Sequence, residues 1–176
     1  MLKKDKTEQR KERHKITQED FTPDEIVKAM LKQIPKDAFA DFTKKIIDYS
    51  AGIGNFLMWI ANKRLKHAED AKEAINAIYF LFGVELMADN VKECRDRMYK
   101  LVTYYFPEIK DDEELNYKLR ATIKNRIQWH DSLKFDYAHW PRLRFNENYP
   151  EVSFEEKPRG ENFPMWEDDI TNKPQE

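Results

Sequence analysis

Gly52 and Gly54, two of only four glycines in 176 residues, fall in the stretch Asp48-Tyr-Ser-Ala-Gly-Ile-Gly-Asn-Phe-Leu57. Glycine lets the backbone turn tightly and lets a ligand approach without a Cβ in the way. An acid, Asp48, stands just before that turn. A second acid, Glu85, closes a continuous apolar run, and a third, Asp131, follows a short apolar stretch. Carboxylates in such places accept hydrogen bonds from hydroxyl, amino or ammonium groups. The carboxyl edge of a parallel sheet is where doubly wound folds bind nucleotides, and an acid at the end of the second strand is the expected partner of ribose hydroxyls. His130 and His139 have no partner at ligand spacing, so no metal site is expected. One cysteine, Cys94, excludes a disulfide framework and a cysteine-based zinc site; it reads as a small core residue.

Positioning these groups takes alternating helices and strands. Thr22 as N-cap and Pro23 at the first helical position open a helix with Asp24 and Glu25 in its first turn. Ile26, Val27, Met30 and Leu31 give it an apolar face, and Pro35 stops it. Lys44 to Asp48 reads as a strand, and Ser50 to Gly54 as a turn. Helices follow at Asn55 to His67 and Glu69 to Ala77. Ile78 to Leu86 reads as a buried parallel strand. Asp89 to Tyr105 and Asp112 to Asn125 read as helices, and Arg126 to His130 as a last strand. Helix, strand, helix, helix, strand, helix, helix, strand predicts an α/β fold with right-handed crossovers between parallel strands.

The ends differ from the middle. Residues 1–15 carry seven Lys/Arg against three Asp/Glu, and residues 151–176 eight acids against three bases, while the whole chain has a net charge of −2. The first reads as a basic arm able to contact phosphates, or as a solvated tail. The last 36 residues contain five prolines and little periodicity, which predicts an extended tail, with Phe154, Phe163 and Trp166 as docking points. The longest apolar run, Ala77 to Val84, is too short to span a bilayer. No apolar leader follows the basic start. A cytoplasmic location is expected.

On these motifs the chain resembles S-adenosylmethionine-dependent methyltransferases, and more narrowly the N6-adenine DNA methyltransferases, including modification subunits of restriction systems. Phe21-Thr22-Pro23 and the helix after it resemble the segment that precedes the family's first motif and covers the methionine end of the cofactor. Asp48, Ser50, Gly52, Gly54, Asn55 and Phe56 resemble the first motif itself. Gly83-Val84-Glu85-Leu86, with Asn90 and Cys94-Arg95-Asp96-Arg97, resembles the second. Trp129-His130-Asp131-Ser132-Leu133 resembles the third. The likeness covers residues 18–137. It implies a partial Rossmann-like, class I methyltransferase sheet flanked by helices, with an extended C-terminal tail. It divides the chain into a basic arm (1–17), an S-adenosyl-L-methionine-binding domain (18–140) and an acidic, proline-containing tail (141–176).

The resemblance also implies roles. Asp48 reaches the cofactor's ammonium or orders water there, and Glu85 takes the ribose diol. Asp131 takes the adenine amino group with Ser132 or Leu133 beside it. Leu86 or Met87 flanks the adenine ring, Phe21 and Thr22 wall the pocket, and Ser50, Gly52, Gly54 and Asn55 form the cradle. The chain departs from the family at the transfer motif, N/D-P-P-Y/F, which holds the target amino group and stacks on a flipped base. No such tetrapeptide occurs. In its place stands Phe145-Asn146-Glu147-Asn148-Tyr149-Pro150, which makes Asn146, Asn148 and Tyr149 the candidate catalytic residues. The residues after them are too few for the remaining strands of a seven-strand core. Two classes of function follow. One is a minimal methyltransferase acting on DNA. The other is a catalytically inactive S-adenosylmethionine-binding or regulatory, anti-restriction protein that sequesters cofactor or docks a partner methyltransferase or restriction subunit. The open edge of an incomplete sheet predicts a homodimer or such a partner.

Overall fold

The computed structural model describes residues 22–154. The basic arm, Phe21 and the tail beyond Phe154 lie outside the described residues. Three parallel strands, β1 (Ile46–Asp48), β2 (Leu81–Glu85) and β3 (Ile127–Trp129), form one sheet in the order β1-β2-β3. The helices are α1 (Asp24–Leu31), α2 (Asp37–Ala40), α3 (Asn55–Leu65), α4 (Ala71–Tyr79), α5 (Ala88–Tyr105) and α6 (Glu113–Arg126). The fold is α/β, a three-stranded parallel sheet flanked by helices.

β2 lies between the other two and is buried along its whole length, which is why it reads as an unbroken apolar run. Gly83 on β2 admits α3 closely: a Cβ there would stand 2.8 Å from Leu57 Cδ1 and 3.1 Å from Ala51 Cβ. On the opposite face of β2, Phe82 packs edge-on against Trp140, ring centroids 4.7 Å apart.

Helix starts follow the expected chemistry in two places. Asp70 accepts from the Glu73 N–H, and Asp112 from the Leu115 N–H, each satisfying a donor that the first turn leaves open. α1 differs: Pro23, not Thr22, occupies its N-cap position and makes no side-chain cap bond, and the helix ends at Leu31 ahead of Pro35. The expected second strand also begins late, because Ile78 and Tyr79 remain in α4. Neither α4 nor α6 ends on a glycine. Buried arginines serve their last carbonyls instead. Arg64, fully buried, donates to Ala77 O and also to Ala38 O and Lys44 O. Arg126 donates to Tyr79 O at 2.7 Å, and Arg95 to Lys124 O and Ile127 O. Lys44, expected in the first strand, thus gives its carbonyl to Arg64, and the strand starts at Ile46.

After β3 the chain turns across the sheet through a short 3-10 helix, Tyr137–His139, and from Trp140 runs without helix or strand along the outer helices. Trp140 donates to Asn125 O, Asn146 N–H to Tyr117 Oη, and Phe154 is buried beside Tyr99. Among the described residues, no helix is long and apolar enough to cross a membrane.

Candidate functional site

Register brings the three strand ends into one group. Asp48 is level with Gly83 and Ile127, and Glu85 with Trp129, so Glu85 lies two residues beyond Asp48 toward the carboxyl edge. The loop after β1 stays beside β2, with Ala51 N–H donating to Val84 O at 3.0 Å. Glu85 shares the Gly83 side of β2, because strand side chains alternate. Its carboxylate therefore meets the glycine loop: Oε2 accepts from Gly52 N–H at 2.8 Å. Oε1 accepts from Met87 N–H at 2.9 Å and Asn90 Nδ2 at 3.4 Å. Glu85 is 7% exposed, so the two oxygens work as a junction between the loop, β2 and the start of α5.

Asp48 is half-buried, and its Oδ1 accepts from Ser50 N–H at 3.1 Å. Burial pushes its carboxyl above the usual range, against the pull of the Ser50 N–H, and the Glu85 charge pushes it further. Gly52 and Gly54 both have positive φ, 52° and 84°. Gly54 also touches α5: a Cβ there would stand 2.5 Å from Cys94 Sγ. Asn55 begins α3; its Nδ2 donates to Thr22 O at 3.4 Å and its Oδ1 accepts from Arg97 Nη1 at 2.9 Å. The same Arg97 nitrogen donates to Ile53 O at 2.6 Å, clamping the loop from α5.

Beyond β3, Asp131 turns the chain by accepting from Leu133 N–H, and it pairs with Lys134 at 3.5 Å. Ser132 gives its carbonyl to Tyr137 Oη. Tyr137 in turn meets Tyr49, which follows β1, edge-on at 5.0 Å. Leu86 is 62% exposed, with its carbonyl held by the Trp129 indole at 2.8 Å.

Asp48, Ser50, Gly52, Glu85, Leu86, Asp131 and Ser132 are thus brought to the carboxyl ends of neighbouring strands, with Gly54, Asn55 and Thr22 behind the loop. Asn146, Asn148 and Tyr149 are not brought to them. Asn146 Oδ1 accepts from Asn148 N–H, and Tyr149, at φ 44°, stacks at a tilt 5.6 Å from Tyr117 in the first half of α6. The clamp by Arg97 and the Tyr49–Tyr137 pair carry no sequence signal beyond residue type. Among the described residues, no group of three or more His, Cys, Asp or Glu could hold a metal ion.

The arrangement suits a ligand with several hydrogen-bond donors. Each carboxylate oxygen has about two lone-pair positions. Oε2 of Glu85 keeps one, and Oε1 gains one if the long bond from Asn90 yields. Set against family models, characterised proteins and solved structures, the chain matches none of them.

Proposed function

We propose that the carboxyl edge of this sheet binds S-adenosyl-L-methionine, and that the chain is a methyltransferase-like protein of the Rossmann-like class I kind, resembling the DNA adenine-N6 enzymes. The observation that carries the reading is the Gly52 N–H to Glu85 contact at 2.8 Å, which sets a glycine cradle against a carboxylate where a ribose diol would be received. Glu85 accepts the diol through the lone pairs just counted. Asp48, half-buried at the end of β1, faces the ammonium, whose charge would stabilise its ionised form. Asp131 takes the adenine amino group. The bound cofactor supplies an electrophilic methyl group.

Titration calorimetry with S-adenosylmethionine and its demethylated product tests this. Glu85→Ala is expected to cost about 1.5–3 kcal/mol of binding, the scale of hydrogen bonds to a charged group. Because Glu85 also braces the loop, Asp131→Asn is the companion variant, with a loss of about 1 kcal/mol expected. Binding unchanged in both variants would overturn the reading, as would the absence of binding.

A second reading is favoured by the placement of Asn146, Asn148 and Tyr149 against α6. In it the protein holds the cofactor without transferring its methyl group and sequesters it or docks a partner methyltransferase or restriction subunit. Tritium-methyl transfer to mixed DNA in the same preparation separates the two. Incorporation supports the enzyme, and binding without incorporation supports the second reading.

A further inference from the structure

We propose that the groove between α3 and α5 binds an organic phosphate, its phosphate held by Arg97 and Lys100 and its apolar body by Met58, Trp59 and Leu101. The cavity there holds about 390 Å³, and no carboxylate is among the described residues that line it. Its two walls follow from helical spacing: Asn55, Met58 and Asn62 share one face of α3, and Arg97, Lys100 and Leu101 one face of α5.

The donors are fixed but not used up. Arg97 spends Nη1 on Ile53 O and Asn55 Oδ1, while its Nε and Nη2 make no hydrogen bond among the described residues. Lys100 is exposed, and its ammonium has no hydrogen bond or ion pair among them. Asn62 accepts from Tyr105 Oη at 2.7 Å, which orients its amide and leaves Nδ2 to donate. Lys28 on α1 holds its ammonium 5.2 Å from the centroid of the Trp59 ring. A planar fork beside a point charge suits a phosphate dianion better than a single carboxylate. The volume falls in the range of ligand pockets and exceeds what free phosphate would fill, and the apolar wall supplies the rest.

This groove uses none of Asp48, Glu85 or Asp131 and stands apart from the proposed cofactor edge, although Arg97 and Asn55 connect the two through the loop. Phenyl phosphate is the probe for the full chain, because it lacks the ribose and adenine groups that the strand ends would recognise. Calorimetry is expected to show phenyl phosphate binding, inorganic phosphate weaker by about tenfold, and phenol not at all. Lys100→Glu is expected to weaken phenyl phosphate by about tenfold or more with an unchanged melting temperature, since the Lys100 side chain is exposed and its ammonium has no partner among the described residues. Asp131→Asn, at the strand ends and without a bond to the glycine loop, is expected to leave it unaltered. No binding at millimolar ligand, no effect of Lys100→Glu, inorganic phosphate binding as well as phenyl phosphate, or loss through Asp131→Asn alone would each overturn the proposal.

Discussion

Asp48 is held half out of water at the end of β1, two residues short of the level of Glu85, and both circumstances penalise its charge. Its folded carboxyl therefore protonates above the ordinary value of 3.8, burial being the larger cause. A group whose folded pKa is raised favours the native state below its unfolded pKa, and that contribution is lost as pH rises through the folded value. At neutral pH the ionised Asp48 thus works against folding. Asp48→Asn removes the charge, and its amide oxygen can still accept the Ser50 N–H bond. The variant is expected to melt at a higher temperature than the parent at pH 7. The difference should shrink as pH falls and be gone below about 3.8. A variant less stable at neutral pH would mean that the charge itself is used in the apo fold, and a difference that persists in acid would mean that charge is not the cause. The same variant bears on the proposed cofactor edge, because the amide has no negative charge to offer the cofactor's ammonium.

α3 begins without a side-chain cap because its cap position is Gly54 in the left-handed region, φ 84°. The turn sits on Cys94, whose thiol is fully buried and pushed up to about 12 by that burial; the sulfur acts as packing, not as a nucleophile. Gly54→Ala has two costs, about 1–2 kcal/mol for the backbone and a clash with the sulfur at 2.5 Å. Cys94→Ala is expected to relieve the clash and not the backbone. A double-mutant cycle read by urea unfolding should therefore give a coupling of about 1 kcal/mol, with the double variant more stable than additivity predicts. Strict additivity would mean that loop and helix do not bear on each other. This glycine turn, the parallel strands and the element order apart from the short α2 were legible because glycine, periodicity and strand-end acids are local signals. The boundary between α4 and β2 was not, since the apolar run Ala77 to Val84 suits either a helix or a buried strand. What decides it is distant: Arg64 and Arg126 reach the carbonyls of Ala77 and Tyr79 from other parts of the chain. Glu85 was legible as an acid at a strand end, but its bond to Gly52 was not, because it depends on the register of two strands.

Across the whole molecule, the segment from Trp140 to Phe154 ties the sheet's last turn to α5 and α6, and it does so without secondary structure of its own. Its proline content made the extended path legible; its route was not, because the docking surface is assembled from two helices. Phe154, 5% exposed, ends the described path edge-on to Tyr99, ring centroids 6.3 Å apart, with the Arg120 guanidinium beside both rings, 5.3 Å from the Phe154 centroid and 4.1 Å from that of Tyr99. An arginine set against two rings holds apolar area and a cation–π contact together. This strap also keeps Asn146 and Tyr149 on α6, away from the strand ends. If it belongs to the cooperative unit, Phe154→Ala costs about 3–5 kcal/mol, as truncation of a buried ring does. Phe154→Leu costs less than about 1.5 kcal/mol, since most of the volume remains. Phe145, 43% exposed on the same segment, is the control, and its truncation should change stability by no more than about 0.5 kcal/mol. Chemical unfolding of the three variants reads all of this from the transition midpoint. Equal midpoints for Phe154→Ala and Phe145→Ala would show that the strap lies on the helices without stabilising them, and the position of Asn146 and Tyr149 would then place no constraint on the chemistry at the strand ends.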